Sequence, residues 1–135
     1  MTILKYIIGT EKINIIERVI LMEIVKYDNA LKGANSNKCK YLEYSFEDKD
    51  IDLGIATITG RYPEEGYCVN IISKELIYVI EGNGILNFED KSITFKKGDA
   101  ILINANEKYY FDTNYCVVSM SCMPAWIEEQ HRLIQ

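Results

Sequence analysis

Glu75 stands at the head of the apolar run Leu76–Ile80, within the stretch SKELIYVIEGNGILNF from Ser73 to Phe88. A carboxylate in that setting can ligate a metal, hold a substrate or cap a strand end. The other residues with chemical potential are few. Cys39, Cys68, Cys116 and Cys122 form no C-x-x-C pair, and His131 is the only histidine in the chain. That set argues against a zinc site and for reduced, buried thiols. Cys116 and Cys122 share a face of CVVSMSC with Val118 and Met120, which suits a core face. Arg61, Tyr62 and Glu64 fall in GRYPEEG, a loop of the kind where function concentrates. The donor fork of Arg61 suits a carboxylate or phosphate ligand, or Glu75 itself. It equally suits tying down its own turn.

These residues must be carried by short strands. From Lys40 onward, runs rich in Val, Ile, Tyr and Phe alternate with polar turns: KYLEYSF, IDLGIATITG, YCVNII, ELIYVI, ILNFE, SITF, AILINA, NEKYYF and CVVSMSC. In IDLGIATITG, Ile51, Leu53, Ile55 and Thr57 share one face. Turn signals at this spacing predict an all-β sandwich or barrel. Gly82 and Gly84 in EGNG predict a hairpin between ELIYVI and ILNFE. KKGD predicts a turn before AILINA. After Pro124, the spacing of Trp126, Ile127 and Gln130 predicts a short C-terminal helix, with Trp126 packing it on the barrel. His131 then falls on that helix near Glu128 and reads as a surface or interface residue.

The chain has 135 residues, 48% of them hydrophobic, with a net charge of −5. It fits one domain with one core. The negative charge argues against a nucleic-acid surface. No run approaches the roughly 18 apolar residues of a membrane span, and no secretory pattern opens the chain, so a cytoplasmic location is expected. Residues 22–135 read as the single barrel domain. Met22 opens MEIVKYDN, a natural first strand, and Glu17–Val19 suit a purine-rich codon stretch just upstream. Residues 1–21 therefore read as an extension outside the native protein, with Met22 as the start. The rival reading is an extra apolar strand packed on the barrel or on a partner chain.

The block from Gly66 to Thr113 resembles the cupin family. The family's first motif ends in a Glu followed at fixed distance by a Gly, as Glu75 and Gly82 stand here in ELIYVIEG. Its second motif opens with Gly and Asp before an apolar strand, as Gly98 and Asp99 do in KKGDAILINANEKYYF. The resemblance implies a double-stranded β-helix, or jelly-roll, barrel and a dimer as the default. GRYPEEGY, KELIYVIEG and MPAWIEEQH also resemble a subgroup of short bacterial cupins, one that brings no activity with it. Cupin metal ligands are three histidines and the Glu. Here the first two positions fall on Cys68 and Asn70, or on Val69 and Ile71, and the third falls on Tyr109. Only Glu75 remains, so no metal and no cofactor are expected.

By its family position Glu75 points inward, with Ile77 and Val79 on the same face. Tyr109, Asn70 and Arg61 complete the candidate binding set. The leading expectation is a metal-free barrel that binds a small polar metabolite, with a carbohydrate as the guess. A competing expectation is a metal-independent sugar isomerase or epimerase, with Glu75 as base and Tyr109 as proton donor. A third is a structural or regulatory homodimeric module, in which Tyr44, Tyr67 and Tyr78 form an exposed aromatic face. Glu75 and Tyr109 can also simply bond to each other and fill the barrel.

Overall fold

The computed structural model describes residues 22–135 and, before them, only the backbone of two short paired strands, β1 (Thr2–Ile3) and β2 (Val19–Ile20). Whether the native chain starts at Met22 lies outside the described residues. The rest is one curled, ten-stranded antiparallel sheet. In chain order its strands are β3 (Leu31–Ser36), β4 (Cys39–Tyr44), β5 (Leu53–Ile58), β6 (Arg61–Tyr62), β7 (Tyr67–Asn70) and β8 (Lys74–Phe88). These are followed by β9 (Ser92–Lys96), β10 (Ala100–Ile103), β11 (Tyr109–Met123) and β12 (His131–Ile134).

The long strands β8 and β11 form the spine. They pair along their whole length, from Met123 opposite Lys74 to Tyr109 opposite Phe88. β9 and β10 pair with successive halves of β8, while β5, β6 and β7 pair in turn with the far edge of β11. β4 and β3 extend the sheet beyond β5.

Strands of 15 residues stay amphipathic only if they change phase. Each spine strand has one bulge, marked by register shifts between Asp112 and Tyr115 and between Val117 and Val118. A bulge adds one residue and so moves the inward face to the other parity. On β8 the buried residues are Glu75, Ile77 and Val79 before the bend and Leu86 after it. On β11 they are Tyr109, Phe111 and Thr113, then Cys116, Val118 and Cys122. The apolar ones meet Ile58, Phe95 and Ile103 in a closed core. Phe111 sits at its centre, edge-on to Phe95 and to Tyr109, each with 5.9 Å between ring centroids. The four cysteines are buried and unpaired, and Cys116, Val118 and Cys122 form the inward face expected of them.

Three expected elements differ. MEIVKYDN forms no strand: residues 22–26 are irregular and Tyr27–Asn29 is a 3-10 turn, with the next strand starting at Leu31. EGNG makes no hairpin; β8 runs through it. Gly82 has φ 81°, and a Cβ there would meet the Tyr115 carbonyl oxygen at 2.1 Å. The glycine therefore serves the close approach of β11 at the bend, not a chain reversal. The chain reverses later, where the Phe88 N–H donates to the Lys91 carbonyl at 2.8 Å, and again at KKGD, where Gly98 has φ 93° as a turn requires.

The C-terminal helix is replaced by a single 3-10 turn, Glu128–Gln130, followed by β12. So short a segment gains little as an isolated helix. The open edge of β7 instead supplies a ladder, from His131 opposite Asn70 to Ile134 opposite Tyr67. No helix among the described residues is long and apolar enough to cross a membrane.

Candidate functional site

One end of the barrel interior is polar and open. Period two on β8 puts Glu75 on the inner face, next to Ile77 and Val79, and register places it opposite Cys122 of β11. Tyr109 lies at the far end of the same β8–β11 ladder. The curl of the sheet carries it across the interior to Glu75. Its hydroxyl donates to Glu75 Oε1 at 3.2 Å, with Oε2 at 3.4 Å. Asn70, from the inner face of β7, donates through Nδ2 to Glu75 Oε2 at 2.8 Å. Glu75, Tyr109 and Asn70 are all buried.

The amide of Asn70 has its orientation fixed by its other neighbour. Trp126 Nε1, which can only donate, lies 3.3 Å from Asn70 Oδ1. The oxygen must therefore face Trp126, and the NH2 group must face the carboxylate. His131 Nδ1 lies 3.2 Å from the same oxygen, so Nδ1 is the protonated nitrogen of the ring. Burial, then the charge of Arg132, lowers the pKa of His131 from 6.5 and keeps the imidazole neutral. The rings of Trp126 and His131 are tilted against each other at 5.9 Å between centroids.

Two latches hold this outer layer. Asp52, just before β5, accepts the backbone N–H groups of Cys122 and Trp126, each at 2.8 Å. Gln130 is fully buried. Its Oε1 accepts from the N–H groups of Ile72 and Ser73 at 3.1 and 2.7 Å, and its Nε2 donates to Ser73 Oγ at 2.8 Å. The turn before β12 and the β7–β8 loop are thereby tied together. No buried side-chain N or O atom lacks a partner among the described residues.

Burial pushes the Glu75 carboxyl up from its ordinary value. The bonds from Tyr109, Asn70 and Cys122 oppose that rise, and the charge of Asp52 adds to it. Burial, with the nearby Cys68 and Glu75, holds the Tyr109 phenol well above its usual range, so it remains a donor. Cys68 is pushed up to about 12 by burial and its thiol donates to the Tyr109 carbonyl oxygen at 3.4 Å. Cys122 is likewise raised, by burial and by Glu75.

This donor set does not fit a transition metal. Glu75 is engaged by an amide and a phenol, Cys68 is turned to a backbone carbonyl, and the lone imidazole presents its N–H to Asn70. Among the described residues no group of three or more His, Cys, Asp or Glu is placed to hold an ion.

Beside Glu75 lies a cavity of about 160 Å³. Glu75, Tyr109, Asn70, Trp126 and His131 form one wall; Tyr41 and Glu43 of β4, Ala56 and Ile58 of β5 and Asp52 just before β5 form the other. Tyr62 closes the side next to an outer recess lined by Pro63, Glu64 and Glu65, which shares Asn35, Tyr62 and His131 with the inner cavity.

Of the four residues singled out in the sequence, the structure brings Glu75, Tyr109 and Asn70 together and leaves Arg61 out. Arg61 donates to the carbonyls of Pro63 and Gly66, both at 2.9 Å, and lies 3.9 Å over the Tyr110 ring. It ties down its own turn. Tyr44, Tyr67 and Tyr78 do not form one face. Tyr44 lines the cavity, Tyr67 packs edge-on against Tyr110, and Tyr78 is exposed on the outer face of β8. His131 and Trp126, read as helix residues, instead line the cavity beside Asn70. Glu43 and Asp52 were not singled out; alternation from buried Cys39 and Ala56 is the signal that finds them, as Cys39–Tyr41–Glu43 and Asp52–Gly54–Ala56.

Comparison with known proteins agrees with this architecture. The uncharacterized protein YdbB of Bacillus subtilis (strain 168) is 30% identical over 112 residues, spanning 78% of this chain and 96% of that protein. The nucleoside dehydratase Pac13, a Streptomyces protein, superposes with a TM-score of 0.73 at 16% identity, over 85% of this chain and 92% of that one. KdgF from Halomonas sp. does so with a TM-score of 0.64 at 12% identity, over 77% and 96%. At such identities the two structures show a shared fold, the cupin barrel. The family of AraC-like ligand binding domains matches residues 53–135, which hold β5 to β12 and most of the cavity wall, and the chain belongs to that family.

Proposed function

We propose that this protein binds a small polar metabolite in the barrel cavity, without a metal. The observation that carries the reading is the set Glu75–Asn70–Tyr109, fully hydrogen-bonded yet lying on the wall of an open cavity. A core that only needed filling would use apolar side chains there. A carbohydrate is one class whose hydroxyls could serve these donors and acceptors. The test is a thermal-shift screen of sugars, amino sugars, amino alcohols and small acids. Compounds that raise the melting temperature should lose that effect in Glu75→Gln and in Trp126→Ala. A screen without hits, together with a Glu75→Ala protein as stable as wild type, would leave the pocket vestigial.

One observation favours a second reading, a metal-independent isomerase or epimerase. Glu75 has its pKa raised by burial, as a general base requires, and Tyr109 stays protonated as a donor beside it. Incorporation of solvent deuterium into a bound sugar would support this reading, and its absence for every ligand found would dismiss it.

A homodimer remains part of the proposal. Its support is an exposed apolar set on the outer face of β8 and β10, where Leu76 pairs with Leu102 beside Tyr78 and Ile80. Sedimentation of wild type and Leu76→Glu tests it; a monomeric wild type ends that part of the proposal.

A further inference from the structure

We infer that the ligand of this cavity is a small organic cation, an amine or quaternary ammonium of amino-alcohol to amino-sugar size. This rests on the reading that the cavity binds a metabolite, and it names the charge that the metabolite carries.

Three carboxylates line the interior: Glu43 on β4, Asp52 before the neighbouring β5 and, across the intervening β11, Glu75 on β8. Register relates them. Glu43 stands opposite Gly54, two residues from Asp52 on the same face. Asp52 is bonded to the N–H of Cys122, and Cys122 stands opposite Glu75. All three line the cavity.

Their partners carry no charge. Asp52 accepts two backbone N–H groups, and Glu75 accepts a phenol and an amide. No Lys or Arg lines the cavity among the described residues, and its one imidazole is neutral. The ion pairs Lys97–Glu81 and Lys108–Glu89 involve none of the three carboxylates. Glu43 is raised by burial and then by the charge of Asp52, so the two repel. Negative charge gathered on a half-buried wall without a counter-ion is unfavourable, and an incoming cation relieves it.

The aromatic lining is an independent feature. Tyr41, Tyr44, Tyr62 and Trp126 border the same space. Aromatic faces attract a desolvated ammonium, and quaternary ammonium groups most of all. The outer recess continues the sign, with Glu64 and Glu65 on its wall. A cation approaching the site is drawn in, and a phosphate or carboxylate is turned away. At about 160 Å³ the inner cavity suits a group of roughly six to eight heavy atoms, with larger ligands extending through the mouth.

The experiment compares probes matched in shape and different in charge. Calorimetric titration at low salt uses choline against dimethylbutanol, its uncharged carbon isostere, and glucosamine against glucose, with acetate as the anion. The expected result is that the cation of at least one pair binds roughly tenfold or more tightly than its neutral partner. That binding should weaken as salt is added. It should fall roughly threefold to tenfold in Glu43→Gln, whose melting temperature reports that it is folded. A neutral partner that binds as well as its cation, or acetate that binds at all, overturns the inference and leaves the metabolite-binding reading standing. A protein that takes none of the probes overturns the inference, and the metabolite-binding reading falls with it only if the thermal-shift screen is also without hits and Glu75→Ala is as stable as wild type.

Discussion

The two ends of the barrel interior are built from the same strands and by opposite means. At the closed end, β8 and β11 present Val79, Leu86, Phe111, Cys116 and Val118 to one another, each with no exposed surface. Contact between apolar groups holds that end together. At the open end the same two strands present Glu75, Tyr109 and Cys122. There the fold relies on directional bonds from Asn70, Asp52 and Gln130, and it leaves space. The closed end explains why the protein folds. The open end is a departure from good core design, and that departure is what the proposed binding site rests on.

The contrast can be broken most severely from the closed side. Phe111→Ala should lower stability by about 3–5 kcal/mol, because the ring is fully buried between Phe95 and Tyr109. Urea unfolding measures it; a loss of less than about 1 kcal/mol would mean that the cluster is not the core. Gln130→Ala should come next, at about 2–3 kcal/mol, since the N–H groups of Ile72 and Ser73 lose their acceptor. The same variant should weaken any ligand, because the turn that seats His131 is released.

The third test sharpens the contrast through pH. Burial raises the pKa of Glu75 from 4.5, so the folded protein holds that proton to higher pH than the unfolded chain. The contribution is present below the unfolded value and is lost as pH rises through the folded one. Glu43 acts in the same direction. His131 acts oppositely and in a different window, with stability rising between its lowered value and 6.5. Glu75→Gln should therefore gain on wild type as pH rises from 4.5 through the raised folded value, read as a pH-dependent difference between their urea midpoints. A gap that is constant with pH would contradict a carboxyl whose pKa burial has raised. The smallest effect is expected from Arg61→Met. Losing two bonds to carbonyls and a stacked ring should cost about 1 kcal/mol. Ligand affinity should be unchanged, because Arg61 stands outside the cavity.

Several features at the open end were legible from the chain and others were not. Glu75 was, since its place at the head of an apolar strand and before Gly82 is a local pattern. Asp52 was hidden because IDLGIATITG is apolar on both faces. Its alternation draws the eye to Ile51, Leu53 and Ile55, while the sheet buries Ala56 and Ile58 and turns Asp52 inward with them. His131 was misread because its stretch is short enough to carry a helical spacing by chance. The strand it adopts exists only because β7 offers an edge.

The cupin resemblance implied the barrel and the inward Glu75; composition and turn spacing by themselves determined an all-β sandwich or barrel and the turn at KKGD. These are local matters of period and of which residues tolerate positive φ. Tertiary structure alone decided that Tyr109 meets Glu75 from the opposite end of a shared ladder. It alone decided that EGNG bends where it was expected to reverse, and that the last strand sets His131 on the cavity wall. Each depends on which backbone comes alongside, through hydrogen bonds between residues far apart in sequence, and no window of neighbouring residues contains that partner.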